Sequence, residues 1–316
     1  MSLPFNIFDA PQAAILLGIA ALLGACIGSF VNCLAWRLVA GESVLKGRSH
    51  CTSCGHTLGV PDLIPIVSWI VLRGRCRHCG ERVSPRYVIV EVVLAVVFAA
   101  LLVAYGVSAQ TLAYWALASI LMAIALVDLD TYTIPNGFIA AALAVWLLLT
   151  ASSFAGLPQP EALASVIDGL AGAFAVGGGI LLFSLAFDAL TKRQSLGGDI
   201  KLLFAVGLFL GLAASLLNLL IACILGLILA LVRPARHTPQ ADGSVAPCPP
   251  SVAACQADIP QNAQASGGAQ AYDVEAAGES EPFRTRAIPF GPAIAAATIL
   301  TLLVGPTFLT WYLSLI

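Results

Sequence analysis

Apolar residues in this chain come in long runs, many of them long enough to cross a bilayer, for which about 20 residues are needed. The runs predict spanning helices over 12–34, 87–105, 111–127, 137–151, 166–190, 202–217, 219–232 and 290–315. The stretch from Leu202 to Val232 is nearly continuous. As one helix it would reach roughly 46 Å at 1.5 Å per residue, too long for a hydrocarbon core of about 30 Å. A turn is therefore expected in it, near Leu217-Asn218. The expected fold class is an all-α integral membrane protein with about eight transmembrane helices.

Composition strengthens this reading. Hydrophobic residues make up 59% of the chain and charged residues only 10%, where a soluble domain carries about 25%. The distribution of charge says more than the net value of -2. With the spans above, all 15 Lys and Arg fall on one side of the membrane: in 37–86, in 192–201 and in 233–286. The opposite loops, Val107-Ser108-Ala109-Gln110 and 152–165, hold none. The basic side should face the cytoplasm by the positive-inside rule, placing both termini outside. The first basic residue, Arg37, follows the first apolar run, so that run is expected to be a retained helix rather than a cleaved leader. The lipid bilayer is an expected partner and nucleic acid is not.

Two polar segments interrupt the spans, giving expected divisions at 1–36, 37–86, 87–233, 234–286 and 287–316. The segment 234–286 is rich in Ala, Gly, Pro, Ser and Gln. It has too little apolar surface to offset its ordering entropy and is expected to be a disordered cytoplasmic linker. The segment 37–86 is basic and carries two Cys-x-x-Cys pairs, Cys51/Cys54 and Cys76/Cys79, 21 residues apart. Four thiolates so spaced can close a tetrahedron around Zn²⁺. A reducing cytoplasm argues against disulfides, which leaves unliganded thiols or redox pairs as the alternatives. Four cysteines leave no open coordination position, so such a metal is structural. His50, His56 and His78 lie nearby and are expected at the surface.

A second group of residues consists of acids at membrane edges. Asp128-Leu129-Asp130 ends the third span, and Asp199 opens the sixth behind Gly197-Gly198. Carboxylates at the bilayer edge are costly, and hence functional candidates. Two facing carboxylates share one proton, an arrangement that can activate water and polarise a peptide carbonyl. The alternative is that these acids cap helices or pair with Lys and Arg. Asp168 and Asp188, in or near the fifth span, stay open as the acids of a transporter. A non-catalytic scaffold is a further alternative.

Several of these runs, in order, resemble the signatures of bacterial type IV prepilin peptidases. They are Gly28-Ser29-Phe30-Val31-Asn32 with Arg37-Leu38, and Ile64-Pro65-Ile66-Val67-Ser68-Trp69. Further along come Leu72-Arg73-Gly74-Arg75-Cys76, Arg86-Tyr87 with Val90-Glu91, Asp128-Leu129-Asp130 with Ile134-Pro135, Gly197-Gly198-Asp199-Ile200-Lys201-Leu202, and Ala287-Ile288-Pro289-Phe290-Gly291-Pro292. The resemblance implies an intramembrane aspartic endopeptidase without a catalytic metal. It would cut basic leaders from prepilins and type II secretion pseudopilins at the cytoplasmic face of the inner membrane. Asp128 and Asp199 match the family's catalytic pair, with Asp130 as the other acid of its motif. The resemblance also implies N-methylation of the new terminus with S-adenosylmethionine, an activity the four-cysteine domain accompanies in the family. Leu63, Val88 and Leu196 depart from the family's pattern.

Overall fold

A computed structural model of the 316-residue chain describes residues 10–44, 47–156, 158–191, 197–232 and 289–314. The expected linker 234–286, Leu196 and the side chain of Asp188 lie outside the described residues. Within them the chain is helical, with only two isolated bridges, His50–Thr57 and Arg75–Arg82. Seven helices are long and apolar enough to cross a membrane. The protein is a multi-pass membrane protein.

Helix α1 (Ala10–Ala40) leads into the cysteine-bearing segment, which holds a 3-10 turn at Val60–Asp62 and the short α2 (Val67–Val71). α3 (Arg86–Tyr105) then returns along α1. The two approach at backbone distance, since a Cβ on Gly28 would meet Glu91 Cα at 2.8 Å and one on Gly24 would strike Leu94 O. α4 (Ala109–Thr131) follows a tight turn in which Ser108 Oγ accepts the Thr111 N–H at 3.2 Å. It is the central helix, packed by α1, α3, α5 and α9. Leu117, Ala118, Leu121 and Ile124 on it are fully buried.

α5 (Asn136–Gly156) crosses back, and α6 (Gln159–Gly172) runs through a widened π segment, Ala173–Gly178, into α7 (Gly179–Thr191). Of the glycine run 177–179 only Gly177 is pressed against a neighbour, with Phe204 Cα 2.7 Å from a Cβ built there.

The run that the sequence divides near Leu217-Asn218 is instead one element, α8 (Gly197–Val232), broken at Gly211. Gly211 has φ +74° and ψ 179°, a conformation essentially confined to glycine. The chain doubles back there. Phe290 lines a cleft with Asp199 at the start of α8 and also touches Gly226 far along it. Between them Asn218 bonds Thr298 and Leu217 faces Gly305, antiparallel to α9 (Gly291–Leu313). α8 thus comprises two antiparallel arms, 197–210 and 212–232, within one of the seven apolar helices. Asn218 is no turn residue: it is 2% exposed and ties α8 to α9.

The reversal frees the first N–H groups of the second arm, and a neighbouring helix supplies the cap. Asp168 Oδ1, from α6, accepts the Leu212 N–H at 3.1 Å. Gly211 faces a cavity of about 530 Å³ lined by Ser108, Gln110, Ser152, Ser153, Ser165 and Asp168 among others. Irregular backbone at membrane depth is tolerated only where protein or such a polar cavity receives it. Asp168 is thereby placed as the cap of the second arm.

Candidate active site

Alternating passage gathers one set of helix ends on the basic side: the end of α4, the starts of α5, α8 and α9, and the four-cysteine segment. Asp128 lies on the last full turn of α4 and is 4% exposed. α4 then stops at Tyr132, which takes the left-handed conformation (φ 55°, ψ 30°) while its N–H returns to Asp128 O at 2.9 Å. Asp199 lies in the first turn of α8, half-buried. Both acids line a single cleft of about 420 Å³ with Tyr132, Ile134, Asn136, Gly198, Lys201 and Phe290.

Asp130 has a different surrounding. Arg86, at the start of α3, holds it with a fork: Nη1 to Oδ1 at 2.8 Å and Nη2 to Oδ2 at 2.8 Å. The same guanidinium reaches Leu126 O at 2.9 Å. A bidentate Arg–carboxylate pair fixes geometry as well as charge. Asp130 thus fastens α3 to α4 and is spoken for, whereas Asp128 faces the cleft. Glu91 is occupied too, accepting the Ile66 N–H at 2.7 Å. Neither is a free anion for a basic leader.

The contact of Gly291 with Asp128 has no counterpart in the sequence reading. The Gly291 N–H, first of α9, donates to Asp128 Oδ2 at 2.9 Å. A Cβ on Gly291 would lie 2.8 Å from that oxygen, so the approach needs glycine. The signal lay in the Pro289-Phe290-Gly291-Pro292 run: proline after glycine marks a helix start, where free N–H groups and the dipole receive an anion. Of the glycines before Asp199, Gly198 packs on Ile134 (3.3 Å from a built Cβ), whereas Gly197 faces open space.

The cysteines form two matching knuckles. In each, the first cysteine N–H bonds the carbonyl five residues on (Cys51 to His56 O, 2.9 Å; Cys76 to Glu81 O, 2.8 Å). The glycine behind the second cysteine turns left-handed and bonds back (Gly55 to Cys51 O, 2.9 Å; Gly80 to Cys76 O, 3.0 Å). The sulfurs of Cys51, Cys54, Cys76 and Cys79 all lie within 4.8 Å of one another, with Cys51–Cys79 at 3.9 Å. A tetrahedron with metal–sulfur bonds of about 2.3 Å has sulfurs roughly 3.8 Å apart. The cluster therefore fits a metal ion. The backbone N–H groups of Cys79 and His78, which face the Cys76 sulfur, bring its thiol down to about 7. His56 and His78 stack on each other with ring centres 3.5 Å apart, outside the cluster.

Family models match both halves of this architecture. The Bacterial Peptidase A24 N-terminal domain matches residues 22–105, which include the knuckles, and the Type IV leader peptidase family matches residues 115–231, which include both cleft acids. A relative in Escherichia coli O78:H11 is 32% identical over 72% of this chain and 89% of its own length. The chain belongs to the type IV leader peptidase family. That relative is the "Type 4 prepilin-like proteins leader peptide-processing enzyme". A "Prepilin leader peptidase/N-methyltransferase" of Myxococcus xanthus is 33% identical over 67% of this chain, which spans 61% of that protein's length. One of the same name in Bacillus subtilis is 29% identical over 95% of this chain and 99% of its own. No solved structure matches the chain.

Proposed function

We propose that the chain is a leader peptidase that cuts prepilins and pseudopilins at Asp128 and Asp199, and that it also N-methylates the new terminus. Membership in the leader peptidase family and the name its relatives share support both activities. One observation carries the residue assignment: a buried and a half-buried aspartate from different helices line one cleft, while the neighbouring Asp130 is consumed by Arg86.

The pair holds one proton, because two carboxylates facing each other in one cleft do not both ionise cheaply. The charged member takes a proton from a water, whose oxygen attacks the scissile carbonyl carbon. The protonated member gives its proton to the carbonyl oxygen. Collapse of the tetrahedral intermediate then breaks the C–N bond: the proton taken from water passes to the leaving amine, and the proton on the former carbonyl oxygen returns to the aspartate that gave it, restoring the pair. Gly291 fixes the orientation of Asp128 throughout. The basic side faces the cytoplasm, both termini lie outside, and the membrane is the bacterial inner membrane. A substrate with an apolar helix in the bilayer and a basic leader in the cytoplasm offers its scissile bond at this depth.

The four cysteines hold Zn²⁺ as a structural ion that ties the two knuckles together. The methyl donor is S-adenosylmethionine. The expected division of labour, a four-cysteine unit over 37–86 beside a peptidase core over 87–233, follows from this reading.

Leader release from a prepilin in detergent, followed by mass detection, tests the pair. Wild type and Asp130→Asn should cleave, whereas Asp128→Asn and Asp199→Asn should not. Cleavage by Asp128→Asn together with loss in Asp130→Asn would reverse the assignment.

A further inference from the structure

The stretch 60–71 in the four-cysteine segment carries an apolar face that no described residue covers. Val60, Leu63, Ile64, Val67, Ile70 and Val71 are 78%, 42%, 46%, 53%, 60% and 70% exposed. They follow one another along a 3-10 turn, a bend and a short helix, with no buried apolar residue between them. The 3-10 turn and α2 contain no buried residue. Trp69 turns away from this face, packing its ring on Gly74 and donating to Val83 O at 3.3 Å. In a water-soluble unit such a face would meet a core.

The depth of the stretch explains the exposure. Ile66 is pinned by its N–H to Glu91 at 2.7 Å, and Glu91 lies five residues into the spanning helix α3, which begins at Arg86. That places the anchor roughly 7 Å along the helix axis from its end, at 1.5 Å per residue. Helical side chains lean toward the N-terminus, so the Glu91 carboxylate meets the loop near the boundary of headgroups and acyl chains. The anchor is held against strain: Ile66 has φ +64°, a costly conformation for a β-branched residue. Arg73 and Arg75 follow directly on α2 and are exposed, as is Arg82 beyond them.

We propose that Val60–Val71 lies in the cytoplasmic leaflet as an interfacial segment, its six aliphatic side chains among acyl chains and the arginines at anionic headgroups. Interfacial helices seat their apolar face about 5–10 Å into this boundary, with basic residues at the phosphates. The four-cysteine unit is thereby a half-embedded collar, held flat on the membrane beside the cleft. This reading rests on the spanning helices and the Glu91 anchor, and stands whether or not the chain is a peptidase.

Photocrosslinking tests it on the full-length chain in nanodiscs of phosphatidylethanolamine and phosphatidylglycerol. Benzoylphenylalanine is placed at Ile70 or Val71, with Leu182 in the spanning α7 as the positive control and Glu81 as the negative. Illumination should add the mass of a phospholipid at Ile70, Val71 and Leu182, and none at Glu81. Because the tested side chains are exposed, the substituted proteins should elute as wild type. Absence of lipid adducts at both positions while Leu182 is labelled overturns the proposal. So does replacement of the lipid adduct by a prepilin adduct when substrate is added, which would make the stretch a substrate-docking face.

Discussion

The reversal at Gly211 is what carries the chain back to the basic side, where α9 begins with Gly291 against Asp128, and replacing that glycine tests the topology directly. An alanine there must adopt φ +74°, ψ 179°, which costs about 1–3 kcal/mol for a residue with a Cβ. The new methyl group would also strike Asp168 Oδ2 and push the carboxylate off the Leu212 N–H. Loss of an N-cap costs about 0.5–2 kcal/mol, so Gly211→Ala should destabilise by about 2–5 kcal/mol in total. Unfolding in mixed micelles by increasing SDS, followed by tryptophan fluorescence, reads the difference. Gly18→Ala is the control: a Cβ there meets nothing within 4 Å, and alanine in a helix interior gains about 0.5–1 kcal/mol over glycine. Asp168→Ala alone should cost the cap energy. Added to Gly211→Ala it should cost almost nothing, because the cap is already gone. A Gly211→Ala protein as stable as wild type, or strict additivity of the two substitutions, would falsify the reversal and with it the return of the chain to α9 beside Asp128.

Other outcomes follow from the same geometry. Gly291→Ala puts a methyl group 2.8 Å from Asp128 Oδ2; under the proposed assignment, displacing that carboxylate by a fraction of an ångström should lower cleavage on the order of tenfold, measured as kcat with the protein still folded. Cys51→Ser or Cys76→Ser should lose the metal, read as zinc released per chain to a chromogenic chelator, while Cys223→Ser keeps it. Asp62 sits under Arg77, whose guanidinium bonds it at 2.7 Å and holds its carboxyl below the ordinary value of 3.8. A depressed carboxylate stabilises above its unfolded value and loses that contribution as pH falls through the folded one. The stability difference between wild type and Asp62→Asn should therefore be constant near neutral pH and vanish on acidification below about 4; a difference that grows toward acid would contradict the pairing.

The sequence by itself determined the membrane class and most of the spans, because a hydrocarbon core demands long apolar helices and leaves the few charges to the loops. It also determined the four-cysteine cluster, since two Cys-x-x-Cys knuckles are local geometry and need only one another. Asp128 and Asp199 were legible as costly acids at helix ends, and their motif separated Asp128 from Asp130 only by resemblance. The physical ground for that separation is tertiary: Arg86, from another helix, consumes Asp130. The same holds for Gly291, whose N–H reaches Asp128 across 163 positions of sequence. The turn in α8 was placed near Leu217-Asn218 because a polar residue in an apolar run marks a break. In the folded chain a buried polar residue can instead be satisfied by a neighbour, as Asn218 is by Thr298. A glycine can take the turn once another helix supplies its cap. Hydropathy measures what each segment prefers against lipid; which helix end meets which, and which polar group finds its partner there, is decided only when the helices pack.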